Sequence, residues 1–193
     1  MPDGTVKQYF KNGKLQAEWT YKNGKEEGVT KNYYESGNFS GEGFFKDGKL
    51  EGKKTWQSEN GMLHYEYTFK AGKLEALKSF YQSGKLWTEA VLKDGKEVAR
   101  KSYHESGALE EECGIKDGQR EGACKSYYKD GRYEDSTFIK GKKEGRAKIY
   151  SKEGKLSMEE DYKNGLLDGI QRIYAFDGTV QKEFHFKEGR EVK

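Results

Sequence analysis

The 193-residue sequence is poor in the residues that most often mark chemistry or membrane insertion. It contains one proline, two cysteines and three histidines. The histidines, His64, His104 and His185, are widely separated and lack neighbouring ligands at metal-binding spacing, so we predict packing or surface roles, with no catalytic or metal site and no cofactor. No apolar run approaches the ~20 residues needed to span a bilayer, and residues 1–4 lack the features of a secretion signal. We therefore expect a soluble chain, cytoplasmic as written and secreted or periplasmic if a leader has been removed.

An excess of one charge is also missing. The 36 basic and 33 acidic residues leave a net charge of +3 and are spread evenly, which gives no electrostatic case for nucleic-acid binding. Apolar residues make up only 33% of the chain, a composition that by itself would suggest disorder. Aromatic residues argue against disorder, because they make up 14% of the chain and recur at regular spacing, as packed side chains do.

Regular spacing is the main property of this sequence. Two interleaved glycine series, one beginning at Gly13 and the other at Gly24, recur every 23 or 24 residues and define eight units. Such self-similarity predicts a repeat architecture in which each unit buries its apolar surface against its neighbours. We predict one repeat domain over residues 1–193. Its units close near Gly28, Gly52, Ala76, Ala99, Gly122, Gly145, Gly169 and Lys193.

Each unit predicts two strands and two tight turns. The first turn contains a polar residue followed by glycine, as in Asn12-Gly13, which favours a type I′ hairpin turn. The second glycine marks the return turn. The predicted fold is all-β: an elongated, single-layer antiparallel β-meander, a rod of about eight β-hairpins with about sixteen strands, roughly 75 Å long at ~4.8 Å per strand.

The return turns also predict a register. A bulky residue lies three positions before each return-turn glycine and a small residue four positions after it. If the turn is centred just after the glycine, Tyr21 lies opposite Gly28 and Phe45 opposite Gly52, so that a ring covers bare backbone. Repeat six is one residue short, and the same register places Phe138 opposite Gly145, with the deletion absorbed near the other turn.

This register also aligns charged side chains across the strands. It predicts the cross-strand pairs Glu18–Lys31, Glu66–Ser79, Glu112–Lys125, Asp135–Lys148 and Glu159–Arg172, an ionic or hydrogen-bonding pair at each rung. A file of aromatic residues is expected on the same face. This tyrosine file consists of Tyr9, Tyr33, Phe80, Tyr103, Tyr127, Tyr150 and Tyr174.

The two cysteines are related by the same register. Cys113 and Cys124 occupy mirror positions about Gly118, which makes them direct cross-strand neighbours. A disulfide is sterically possible there and would imply an oxidising compartment. The alternative is a pair of small buried thiols that fill a gap.

The unit from Tyr33 to Gly52 (YYESGNFSGEGFFKDGKLEG) resembles a MORN repeat, in the bacterial variant grouped as a YwqK-type antitoxin-like family. The resemblance covers all eight units, although Ala76 and Ala99 replace the usual glycine and Trp56 is shifted by one residue. It implies a hairpin-repeat scaffold without catalytic residues. Family roles include protein docking, dimerisation, lipid contact and, in bacteria, neutralisation of toxins.

Our leading functional hypothesis is a non-enzymatic scaffold that binds a protein partner, such as a bacterial toxin or effector that it neutralises. The tyrosine file is the predicted binding surface, because tyrosine is enriched at binding hot spots. One alternative is a peripheral membrane or phosphoinositide-binding module, which would need a basic patch. Another is a structural spacer of a secreted or surface protein. Open strand edges additionally predict self-association.

Overall fold

The computed structural model describes residues 3–193, and within that range the secondary structure is all-β, without a helix. The chain forms two compact units. Unit 1 comprises residues 3–96 with 105–107, and unit 2 comprises residues 97–104 with 108–193. Unit 1 contains strands β1 (Gly4–Tyr9), β2 (Leu15–Lys22), β3 (Lys25–Glu26), β4 (Gly28–Tyr33), β5 (Phe39–Lys46), β6 (Lys49–Gln57), β7 (Leu63–Lys70), β8 (Lys73–Phe80) and β9 (Leu86–Lys93). Unit 2 begins with β10 (Lys96–Tyr103) and continues with β11 (Leu109–Lys116), β12 (Gln119–Tyr127), β13 (Tyr133–Ile139), β14 (Lys142–Lys143), β15 (Gly145–Tyr150), β16 (Leu156–Lys163), β17 (Leu166–Tyr174), β18 (Val180–Lys187) and β19 (Arg190–Val192).

Within each unit the strands pair antiparallel in chain order, as the predicted meander requires. Nineteen strands appear among the described residues instead of about sixteen. The difference has a local cause, because bulges separate β3 from β4 and β14 from β15, and the three-residue β19 follows the last hairpin. The all-β antiparallel meander is thus confirmed.

The two glycine series form two kinds of turn, and the assignment of type I′ to the first series is wrong. At Asn12-Gly13 only the glycine has a positive φ (82°), and Gly13 N–H donates to the carbonyl of Phe10 at 3.0 Å. This pattern is a three-residue loop with a glycine bulge. The type I′ turns are the return turns, where Asn23 (φ 51°) and Gly24 (φ 73°) are both left-handed.

The predicted pairing of bulky with small residues is also corrected. The return turn is centred between Asn23 and Gly24, one residue earlier than predicted, so Tyr21 lies opposite Glu26 and Phe45 opposite Leu50. Phe138 likewise faces Lys143 and not Gly145. Farther from the turn, a bulge next to the small residue shifts the register by two residues, so that Glu18 lies opposite Lys31 as predicted.

The small residue is needed for the backbone of that bulge. Gly52 and Gly122 have φ values of 70° and 75°, in the left-handed region where a Cβ is unfavourable. The small glycines do face a bulky residue, but on the following strand: Gly52 lies opposite Phe69 and Gly122 opposite Phe138. Where Ala76 replaces the glycine, the register shifts by only one residue, from Phe69–Leu74 to Thr68–Ala76. Glu66 consequently faces Lys78 instead of the predicted Ser79.

The one-residue deletion in repeat six is absorbed near its first turn, as predicted, because the loop keeps its length and the neighbouring bulge is lost. Other repeats show a register shift beside this turn, for example between Asn32 and Tyr33. The β12–β13 hairpin pairs without a shift up to Tyr127–Tyr133. Because strand residues alternate faces, Tyr133 lies on the same face as Asp135, whereas Leu15 lies on the opposite face from Glu18.

The two units bury different side chains. Unit 2 has a core cluster of Cys113, Ile115, Cys124 and Phe138, each at most 8% exposed. The buried hydrophobic residues of unit 1 are Ala17 and Ala90, and its larger aromatic residues remain partly exposed. On the face opposite the charged residues, which we call the apolar face, large side chains are therefore more completely buried in unit 2 than in unit 1.

Candidate functional site

One face of unit 2 carries a cross-strand charge ladder in which the sign alternates at every rung. Each member lies directly opposite the next in the strand register. Its eight rungs are Lys101, Glu112, Lys125, Asp135, Lys148, Glu159, Arg172 and Glu183. The predicted pairs Glu112–Lys125, Asp135–Lys148 and Glu159–Arg172 are confirmed as direct cross-strand neighbours.

Ion pairs link many of the rungs. The Lys125 Nζ lies 3.4 Å from an Asp135 oxygen, and the Arg172 Nε lies 2.8 Å from a Glu183 oxygen. At the centre of the ladder, the side chains of Asp135 and Lys148 are each 47% exposed. Because these side chains are about half exposed, their charges are accessible to a partner. Surface ion pairs of this kind contribute little to the stability of the fold.

The equivalent ladder in unit 1 is interrupted. Glu18 faces Lys31 as predicted, but β6 supplies the uncharged Thr55 between Glu42 and Glu66. The backbone N–H of Glu42 donates to Thr55 Oγ1 at 3.3 Å. In order, its members are Lys7, Glu18, Lys31, Glu42, Thr55, Glu66, Lys78 and Glu89.

The tyrosine file follows the strand ends. Tyr9, Tyr33, Phe80, Tyr103, Tyr127, Tyr150 and Tyr174 are each the last residue of their strands. Tyr9 is 56% exposed and the other six are half-buried. Tyr174 Oη donates to Glu159 Oε2 at 2.8 Å, and this hydrogen bond, with a lesser effect of burial, raises the pKa of Tyr174. Tyr174 therefore contacts a rung of the charge ladder directly.

The missing bulge of repeat six adds Tyr133 to the same surface. Its ring stacks on Tyr150 with 4.8 Å between centroids and lies 6.3 Å from the Tyr127 ring. Lys125 Nζ lies 4.5 Å from the Tyr133 centroid, within cation–π range. Tyr133 was not among the predicted members of the file, and the short spacing between Gly131 and Gly141 was the sequence signal that could have included it.

Unit 1 has an aromatic cluster on the face opposite its ladder, which the sequence pattern did not single out. This Trp56 cluster consists of Trp56, His64, Tyr65, Tyr67 and Phe69. Trp56 lies directly opposite Tyr65, with 5.7 Å between ring centroids, and 5.1 Å from His64. Trp56 is 41% and Tyr65 38% exposed. An open cavity of about 350 Å³ adjoins them, lined by Asn32, Ser40, Gly41, Lys54, Thr55, Trp56, Tyr67 and Phe69.

Unit 2 instead has a polar network on its apolar face. Glu134, 3% exposed, accepts a hydrogen bond from Tyr128 Oη at 2.7 Å and pairs with Lys143. Burial alone would raise the pKa of Glu134, but the contacts with Lys143 and Tyr128 outweigh it and lower the pKa. Burial and the bond to Glu134 raise the pKa of Tyr128 to about 12. The buried Glu134 carboxylate is thus paired with residues of unit 2.

The two cysteines lie directly opposite each other and are joined by a disulfide with a Cα–Cα distance of 4.3 Å. Both are buried beside Ile115 and Phe138. The bridge therefore ties β11 to β12 within the core of unit 2.

Within residues 3–193 no group of three or more histidine, cysteine or acidic side chains is arranged to hold a metal ion. The same residues include no helix of the length and apolarity needed to cross a membrane.

Comparison with known families identifies the repeat. A family model described as a MORN repeat variant matches residues 2–23, 26–47, 50–71, 143–164 and 167–188, more than half of the chain. A search of curated proteins found no match.

Solved structures give only partial likenesses. The chain is 18% identical to the Glycosylation Associate Protein (Gap123) complex from Streptococcus agalactiae, with a TM-score of 0.35 over 53% of this chain and 19% of that one. It is 8% identical to the GtfA/B complex bound to UDP and GlcNAc, with a TM-score of 0.26 over 69% and 22%. It is 13% identical to accessory secretory protein 1, 2 and 3 of Streptococcus pneumoniae, with a TM-score of 0.21 over 72% and 19%. The chain spans about a fifth of the length of these chains, and the family assignment depends on the repeat pattern alone.

Proposed function

We propose, for a chain that belongs to the MORN repeat variant family, a non-enzymatic role as a repeat scaffold that binds a protein partner. The observation that carries this proposal is the exposed Trp56 cluster beside an open cavity. Tryptophan and tyrosine dominate binding hot spots because they bury a large area at a small entropic cost. A rim of polar groups, Asn32 and Lys54 among them, adjoins these rings, as is typical of protein interfaces.

The partner that we propose is a protein toxin or effector that the scaffold neutralises by covering its surface. A repeat sheet suits this role, since its rigid strands hold the aromatic anchors in place before binding. The tyrosine file stays a predicted surface. Its half-buried members offer less contact area than Trp56 and Tyr65, so we expect the Trp56 cluster to supply most of the binding energy.

The decisive experiment is affinity purification of the partner with the full chain, followed by titration of the purified pair. Trp56→Ala should weaken binding at least tenfold, because truncation of a hot-spot tryptophan costs roughly 2 kcal/mol or more. Trp87→Ala is the matched control, since Trp87 is 48% exposed and also lies in unit 1. Equal losses for both variants would contradict the assignment of the Trp56 cluster.

Neutralisation needs a separate measurement. Co-expression of the captured partner with the wild-type chain should restore growth of a host that the partner inhibits, and co-expression with Trp56→Ala should not. A partner that binds but inhibits no cellular process would reject the antitoxin role while leaving the scaffold role intact.

A further inference from the structure

The charge ladder of unit 2 is complementary only to a surface whose charges alternate at the same spacing. It has an even number of rungs and the sign alternates at each one, so reversing the order exchanges every base for an acid. Its formal charges sum to zero, since four basic and four acidic residues contribute. A uniformly acidic or basic partner would gain nothing from such a surface.

A second copy of this chain supplies the complement rung by rung. Consider a two-fold axis in front of the sheet, parallel to the strands and centred between β13 and β15. The facing pairs are then Lys101 with Glu183, Glu112 with Arg172, Lys125 with Glu159, and Asp135 with Lys148, each in both directions. The spacing matches without adjustment, because both surfaces repeat at the strand separation of ~4.8 Å. Self-complementarity about a two-fold axis is what an isologous dimer requires.

The axis also decides which rungs matter most. Sheet twist carries outer rungs of two facing sheets apart, whereas residues next to the axis meet whatever the twist. These are Asp135 and Lys148, the half-exposed central pair. Tyr133 and Tyr150, which stack on each other, lie beside that pair and would face the same two rings of the second copy.

We propose that unit 2 forms a face-to-face homodimer through its charge ladder, with Asp135 and Lys148 of each copy paired across the axis. The eight rungs span roughly 38 Å, so a contact about 15 Å wide buries at most about 1,100 Å² in total, in the size range of weak and transient complexes. Unit 1 is a poor alternative, because at the equivalent axis Glu42 would meet the uncharged Thr55.

The test is a complementary charge swap in the full chain, measured by sedimentation equilibrium. The wild type should reach twice the 22.2 kDa of one chain with a dissociation constant on the order of 10–100 µM, and about 0.5 M salt should weaken the dimer by screening. Lys148→Glu alone and Asp135→Lys alone should each remain monomeric, since both facing pairs become repulsive. An equimolar mixture of the two variants should dimerise again, because only the mixed pair restores opposite charges at the axis.

Lys31→Glu is the control, since it makes the same charge reversal at a basic rung of the unit 1 ladder, and it should dimerise like the wild type. Circular dichroism checks that each variant is folded. If a reversed variant does not fold, the milder Lys148→Gln and Asp135→Asn variants should still raise the dissociation constant, by roughly three- to tenfold. A wild type that stays monomeric at about 500 µM, far above the expected constant, would overturn the proposal. So would a dimer that both reversed variants retain, which would indicate pairing through strand edges.

Discussion

Units 1 and 2 are built from the same repeat, yet they distribute their aromatic and charged residues differently. Unit 2 buries Phe138 and a disulfide and presents an unbroken charge ladder. Unit 1 interrupts its ladder at Thr55 and leaves Trp56 and Tyr65 exposed. Since the backbone pattern is shared, the contrast shows that a repeat sheet can bury large side chains in one region and expose aromatic rings in another.

The largest expected effect tests the deeper packing of unit 2. Phe138→Ala should lower the free energy of unfolding by about 3 kcal/mol, because Phe138 is only 5% exposed and its removal leaves a cavity. Phe45→Ala, at the equivalent position of unit 1, should cost about half as much, since Phe45 is half-buried. Urea unfolding of both variants measures the difference. Equal losses would contradict the claim that packing differs between the units.

Removal of the disulfide should have the next largest effect. In the variant that carries both Cys113→Ala and Cys124→Ala, we expect a loss of about 2–3 kcal/mol, the range for a short cross-linked loop. The two cysteines are separated by 11 positions. Hydrogen exchange should detect faster opening of β11 and β12, with β4 and β5 of unit 1 unchanged as the internal control. Uniform acceleration in both units would show that the bridge does not act locally.

The polar network of unit 2 predicts a pH dependence that unit 1 should lack. Because the pKa of Glu134 is lowered from its ordinary value of 4.5, its charge stabilises the fold above that value, and this contribution is lost as the pH falls through the lower, folded-state pKa. Glu134→Gln should therefore cost about 2 kcal/mol at pH 7 and less at pH 3. Unfolding curves at both pH values test this, and a constant difference between wild type and variant would reject the role assigned to the carboxylate.

The smallest effect concerns the return-turn bulges. Gly52→Ala should lose about 1 kcal/mol, because Gly52 has a φ of 70° and a methyl group added there would meet no neighbouring atom within 4 Å, so the cost is backbone strain alone. Ala76→Gly should be nearly neutral or mildly destabilising, since the narrower bulge there does not use a left-handed residue. Thermal unfolding of the two variants compares them. A larger loss for Ala76→Gly than for Gly52→Ala would contradict the explanation of the two bulge widths.

Much of the fold follows from the sequence, because the glycine period determines the hairpins and the acid–base spacing determines the rungs. The register of Glu18–Lys31 and Asp135–Lys148 was predictable on that basis. The bulges were not predictable. In both turn series a polar residue precedes the glycine, except at Ala71, and the two kinds of turn differ only in loop length and in the φ of the residue before the glycine. The missed bulge led directly to the incorrect pairing of Tyr21 with Gly28.

The candidate surfaces were harder to predict than the fold. The contact of Trp56 with His64 depends on a register shift between Trp56 and Gln57, which period counting does not reveal. From the sequence, the alternation of charge could be predicted only within single pairs across a return turn. An unbroken ladder from Lys101 to Glu183 could be established only from the observed register of each strand with both of its neighbours.

The missing bulge of repeat six shows how this architecture can acquire new surfaces. Loss of the bulge residue between Tyr133 and Asp135 places Tyr133 on the ladder face, while the loop around Gly131 keeps its length. An insertion or deletion at this bulge thus decides on which face of the sheet the first residue of the strand lies. Related chains can change what they present to the outside by gaining or losing a bulge residue, a route that needs no new type of side chain.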